Sequence, residues 1–369
     1  MRWVAMLLSL GGVGLYIAAR FGTHALIGRG SGPAERARPA AGGIALGHWA
    51  PTVAVSMTAL FAGRADLAIA VAFAVSVAAL LLALGMTVFL VPSEPLPTSR
   101  RVWPFLLPAG LLIVVAGFGS ALNLIHAVML AVLGVCVLGL WRSLREEQGS
   151  IEQVLTAAEG GELAPPVGAA ESAAGPKSRW QSLVSWRVLQ WALSVGLAMF
   201  AGWTVVRGTL IADAASPWLR AGILVAGAIS PLLVLPLLAI GTDLAQKNQS
   251  GEACSACVGL ALLNLLGLVP LLIVAWAIRS VVVTGLPKAA YASTRQGLFQ
   301  PATDWFMRLP SLPLPLTVWR IDAIVITVVG FALLPAALGK WRLGRMEAVA
   351  LIAGYAGYLA VSAFLTVTR

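Results

Sequence analysis

The chain has 369 residues, of which 59% are hydrophobic and 11% charged, and its mean hydropathy is +0.89. A soluble domain carries about 25% charged residues, so this composition excludes a water-faced globule and indicates an integral membrane protein. The net charge of +10 fits basic loops that orient membrane helices better than it fits nucleic-acid binding.

A spanning helix needs about 20 mostly apolar residues. In chain order, ten candidates occupy residues 2–19, 43–62, 65–91, 103–118, 120–141, 183–206, 218–241, 253–279, 321–338 and 345–366. The first, within "MRWVAMLLSLGGVGLYIAAR", has the basic start and small-residue end of a signal peptide. Its apolar run exceeds the usual h-region of about 7–15 residues, which favours a retained helix. Its glycines, Gly11 to Gly14, lack a flanking strand and read as close helix packing rather than a dinucleotide loop. The second segment contains "GHWAPT", in which Gly47 and Pro51 flank His48 and are candidate helix breakers. The fifth carries Asn123 and His126, read as helix-to-helix hydrogen bonding.

Between the fifth and sixth segments, residues 145–179 are rich in Ala, Gly, Pro and Glu, with little to bury. This stretch predicts a flexible linker with a short helix near Ile151–Ala158. The chain then divides into a five-helix unit over 1–141, a linker over 142–182 and a second five-helix unit over 183–369. A five-plus-five layout suggests an inverted repeat. If the N-terminus is external, fifteen of the 25 basic residues fall on the opposite side. Under the positive-inside rule that side is cytoplasmic. The expectation is a plasma (inner) membrane protein with a cytoplasmic linker and both termini external.

In the seventh segment an apolar run meets Gly241, Thr242 and Asp243. Ionisable groups inside spans mark function by default, because burying a charge in lipid costs about 2.5–3.5 kcal/mol or more. Asp243 and His48 are the candidates. Three cysteines imply no disulfide framework. Cys136 reads as a small packed hydrophobe. The Cys254–Cys257 pair is a lone C-x-x-C, read as helix packing rather than a metal site. No cofactor, resident metal or enzymatic constellation emerges.

Residues 229–246, "ISPLLVLPLLAIGTDLAQ", resemble the second signature repeat of the sodium/calcium exchanger family, the calcium/cation antiporters. That family carries G-T-S-L-P-E on a broken helix, and Gly241, Thr242, Asp243, Leu244, Ala245 and Gln246 take the six places. "SACVGLALLN", Ser255 to Asn264, then resembles the motif of the following helix. In the first half "GHWAPT" has Pro51 at the proline position, and "AVAFAVSVAA", Ala70 to Ala79, takes the second motif's place. The interval between the two motifs suits the family in the first half but is shorter by roughly nine residues in the second. "VVRGTLIADA", "WRID" and "RMEAVALIAGYAGYLA" add weaker likenesses.

The resemblance implies an all-α integral membrane fold of about ten helices in two inverted repeats of five. It implies helix breaks at Gly47, Pro51 and Gly241, and an ion pathway lined by Thr52, Ser76, Thr242, Asp243, Gln246, Asn264 and His48. The family's two coordinating carboxylates correspond here to Thr52 and Gln246. Neutral oxygens suit a monovalent or other small cation better than Ca²⁺, which takes 6–8 oxygens with carboxylates among them. Two functions follow: a cation antiporter with altered selectivity, or a non-transporting relative that keeps the fold for interaction or sensing.

Overall fold

The computed structural model describes residues 2–27, 41–92, 101–158, 186–215, 221–246, 249–284, 310–315 and 318–367. All ten predicted segments are helical. They are α1 (Arg2–Ile27), α2 (Ala41–Phe61), α3 (Ala65–Leu90), α4 (Trp103–Gly117), α5 (Leu124–Ala158), α6 (Trp186–Ala215), α7 (Ala221–Gln246), α8 (Ser250–Thr284), α9 (Val318–Ala332, followed by the turn Leu334–Ala337) and α10 (Arg345–Val367). Eight of them are long and apolar enough to cross a membrane, and α4 is a shorter apolar helix.

The helices pair by a swap of the two halves. α1 packs along α6, and α4 along α9. α5 lies on the later part of α8, and α10 on the later part of α3. α3 and α8 form the centre: 89% and 78% of their spans are buried, against 17% for both α5 and α10. A helix apolar on all sides is stable only when other helices surround it, whereas one buried face suffices for a helix at the lipid boundary. Both central helices widen into a π-helical turn at matching depth. In α3 this turn, Ala78–Ala83, follows 13 residues of α-helix; in α8 the turn Asn264–Leu268 follows 14. Further π turns lie at Val225–Ile229 in α7 and Val318–Ala323 in α9.

Small residues let these helices approach. A Cβ on Gly47 would meet the backbone of Thr23 at 2.7–2.8 Å, and one on Gly330 would meet the Leu107 nitrogen at 3.2 Å. The Trp319 indole donates to the Val114 carbonyl at 2.8 Å, fastening α9 to α4. In lipid no water satisfies a stray hydroxyl, and most serine and threonine side chains bond back to the preceding turn. Ser76 donates to the Ala72 carbonyl, Thr87 to that of Ala83 and Thr209 to that of Val205, each at 2.8 Å.

Three expectations change. The predicted linker at 142–182 begins inside a helix, because α5 runs on to Ala158 and absorbs the short helix predicted at Ile151–Ala158; the rest of that linker, 159–182, lies outside the described residues. The fifth helix starts at Leu124 because Ala121–Leu122 instead pairs antiparallel with Leu312–Pro313, after a left-handed Ser120 (φ 56°). The helix breaks are absent: α2 continues through Gly47 and Pro51, and α7 through Pro236 and Gly241. A proline inside a helix deletes one hydrogen bond without ending it when neighbouring helices hold the segment. Gly47 serves the contact with α1 instead.

Candidate functional site

The site is built on α2. His48, Thr52 and Ser56 recur at i, i+4 and i+8, which aligns them on one face of the helix. All three are 0% exposed. Thr52 Oγ1 and Ser56 Oγ depart from the back-bonding pattern of the other hydroxyls: neither has a hydrogen-bond partner. Pro51 also withholds the N–H that would satisfy the Gly47 carbonyl. The sequence reading missed Ser56, although its spacing from Thr52 was the available signal.

His48 Nδ1 donates to the Ile44 carbonyl at 2.7 Å, with the Thr23 hydroxyl 3.4 Å away. In a neutral imidazole that bond leaves Nε2 as an acceptor. Nε2 has no partner, and the Pro236 carbonyl lies beside the ring.

α2 packs on α7, on the first part of α8 and on the π turn that opens at Asn264. Asn264 is 0% exposed, and neither its Oδ1 nor its Nδ2 has a partner. Each buried polar group left unsatisfied costs about 1–3 kcal/mol. These orphaned atoms on α2 and α8 are the strongest sign of a ligand in the core. Ser76, on α3, is equally buried but satisfied by its own helix.

The second-half candidates lie elsewhere. Asp243 is at the end of α7, with 59% of its side chain exposed, and its carboxylate is 3.9 Å from Arg20 at the end of α1. Gln246 is exposed on the last turn of the same helix, and Thr242, half-buried, donates to the Ala239 carbonyl at 2.8 Å. Among the described residues no hydrogen bond or ion pair links any of the three to His48, Thr52 or Asn264. Gly241 is packed against Thr87 Oγ1 rather than forming a break.

The cause is a displaced register. Pro51 precedes the end of α2, Phe61, and the start of α3, Ala65, by the same intervals as Pro236 precedes Gln246 and Ser250. Pro236, not a residue after Gly241, is therefore the counterpart of Pro51. Leu237, 2% exposed, is the counterpart of Thr52. The shift from Gln246 to Leu237 accounts for the missing nine residues in the spacing of the second half. Cys254 and Cys257 are buried in α8, and among the described residues no group of three or more His, Cys, Asp or Glu could hold a metal ion.

Residues 5–147 match the model of the sodium/calcium exchanger protein family. That match spans the first part of the chain. The exchanger fold covers nearly all of it. A structure of the H⁺/Ca²⁺ exchanger CAX superposes with a TM-score of 0.68 at 13% identity, over 99% of this chain and 86% of that one. The sodium-calcium exchanger NCX_Mj gives 0.55 at 15% identity, over 97% and 98%. YfkE gives 0.57 at 13% identity, over 98% and 90%. No curated protein matches by sequence. The chain is thus an integral membrane protein with the exchanger fold.

Proposed function

We propose that this protein, which has the exchanger fold, is a cation antiporter of the exchanger family whose central site is neutral and selects a monovalent cation. The observation that carries the reading is the set of orphaned, fully buried polar atoms: Thr52 Oγ1, Ser56 Oγ, Asn264 Oδ1 and His48 Nε2. They are oxygens and an imidazole nitrogen without a carboxylate. CAX and NCX_Mj are described as H⁺/Ca²⁺ and sodium-calcium exchangers. In this chain the places of the two family carboxylates hold Thr52 and Leu237. A divalent ion stripped of water needs opposing charge nearby, and an unbalanced buried charge costs several kcal/mol. One ion of single charge, held by hydroxyl, amide and backbone carbonyl oxygens, demands far less.

Reconstitution into proteoliposomes under Na⁺, K⁺, H⁺ and Ca²⁺ gradients tests this. The reading expects flux of a monovalent cation that is lost in Thr52→Val and in Asn264→Leu. Sodium-driven Ca²⁺ uptake by the wild type refutes the neutral site. One observation favours a second reading, a non-transporting relative: the second repeat offers only Leu237 where the first offers Thr52. Absence of flux of every ion would select it.

A further inference from the structure

Asp322 is the one charged side chain in the buried interior among the described residues, at 6% exposure. It sits in the π turn Val318–Ala323 that opens α9, away from α2 and outside the centre described above. Its partner is the hydroxyl of Tyr358 on α10. Beside them is a small cavity of about 30 Å³, walled by Ala70 and Ala74 of α3 and by Gly222, Val225 and Ala226 of α7. That volume accommodates about one or two waters.

The α7 wall is itself a π turn, Val225–Ile229. Such turns are frequent at functional positions, because the wider winding displaces backbone carbonyls from their usual partners. Here the Ala226 carbonyl accepts from the Tyr355 hydroxyl at 2.9 Å and from Ser230 Oγ at 2.9 Å. The Tyr355 and Ser230 hydroxyls lie 3.3 Å apart, and the rings of Tyr355 and Tyr358 are 5.8 Å apart on α10. Facing groups from α3 and α7 contribute no titratable side chain to the cavity, and among the described residues no basic group is within ion-pair distance of Asp322.

The cavity is close to one end of the bundle. Gly222 follows Ala221, whose N–H donates to Asp213 Oδ1 at 3.0 Å. Asp213 also accepts from Arg64 at 3.3 Å, and Arg64 forks onto Asp66 at 2.9 and 3.0 Å. This partly exposed cluster of one cation and two carboxylates adjoins the α7 wall of the cavity through Ala221, the neighbour of Gly222.

We propose that Asp322 is a proton-binding site, separate from the central cation site, that exchanges its proton with the aqueous side bearing Arg64 and Asp213. An ionised carboxylate without a cation in the membrane interior costs several kcal/mol, and a bound proton removes that cost. Tyr358 fits both states: its hydroxyl donates to the anion or accepts from the acid. The proposal does not depend on which cation the centre takes, or on whether it takes one.

The test is labelling of the full chain in lipid nanodiscs with a hydrophobic carbodiimide, which adds to a protonated carboxyl, followed by peptide mass spectrometry from acid to alkaline pH. Modification is expected at Asp322, with a rate that falls about tenfold per pH unit above its midpoint. A water-soluble carbodiimide should leave the residue unmodified. Tyr358→Phe removes a hydrogen bond that favours the anion, so its midpoint should move to higher pH. An unmodified Asp322 in the wild type, or a rate that ignores pH, overturns the site. An unchanged midpoint in Tyr358→Phe overturns the role of the tyrosine. The wild-type measurement stands even if a variant fails to fold.

Discussion

Pro51 and Pro236 occupy equivalent places in the two halves: each lies inside a central helix, and each is followed by the same run of residues to the helix end and to the start of the next helix. His48, one turn before Pro51, brings its ring beside the Pro236 carbonyl. The two prolines therefore mark both the repeat and the place where the repeats meet. The equivalence separates residues that can act at the centre from those that cannot.

Asp243 is the first consequence. Its carboxylate is mostly exposed and 3.9 Å from Arg20. Exposed ion pairs contribute about 0–1 kcal/mol. Asp243→Asn should leave cation flux in proteoliposomes within about twofold of the wild type, which at this scale of energy is all that such a pair can move. A complete loss of flux in Asp243→Asn would place the carboxylate on the ion path and refute the register argued here.

Gly47 gives a stability prediction. A Cβ at this position would come within 2.7–2.8 Å of the Thr23 backbone, and backbone cannot swing aside. Overpacking of this kind costs about 1–3 kcal/mol. Gly47→Ala should lower the thermal midpoint of the detergent-solubilised protein. Gly357, in α10, has nothing within 4 Å of such a Cβ, so Gly357→Ala should leave the midpoint unchanged or raise it, since alanine favours helix. Equal midpoints for the two variants would remove the packing role assigned to Gly47.

Much of this architecture was legible in the sequence. The ten helices follow from apolar length alone, because lipid forces each crossing segment to satisfy its backbone internally. The central position of α2, α3, α7 and α8 was legible from the exchanger-like motifs. Helix continuity was not. Gly47, Pro51 and Gly241 read as breaks, yet in this fold glycine answers to a neighbouring helix and proline deletes a single bond. Gly241-Thr242 resembles the start of the family motif, while the intervals from Pro236 to the helix end and to the next helix match those from Pro51. Hydropathy cannot separate a leucine at a coordinating place from one in a wall, so Leu237 carried no signal. Asp322 fell near a predicted helix start and read as a boundary residue; only the π turn and the packing of α10 bury it.

Topology is open to a direct measurement. The basic asymmetry predicts a cytoplasmic C-terminal end of α5 and external termini. In a background lacking Cys136, Cys254 and Cys257, single cysteines at Ser150 and after Arg369 should react from opposite sides in intact cells. An impermeant maleimide should label the C-terminal site and spare Ser150. Labelling of both from one side would require an odd number of the helices α6–α10 to stay out of the membrane.

The register itself can be tested by restoring charge. If Thr52 and Leu237 are the paired places, Thr52→Glu combined with Leu237→Glu sets one carboxylate from each repeat into the core. Two buried carboxylates repel and are costly to ionise without a cation. Ca²⁺ would relieve that cost and, with the Asn264 amide and the carbonyl freed by Pro51, supply hard oxygen ligands of the required kind. The double variant should therefore gain Ca²⁺-dependent thermal stabilisation that the wild type and either single variant lack, in line with mass action for a ligand that binds only the folded state. Thr52→Glu combined with Gln246→Glu should gain none, because Gln246 is exposed at the end of α7. Stabilisation by Ca²⁺ in the Gln246 pair but not in the Leu237 pair would return the second carboxylate place to the GTDLAQ stretch and sink the alignment of Pro236 with Pro51.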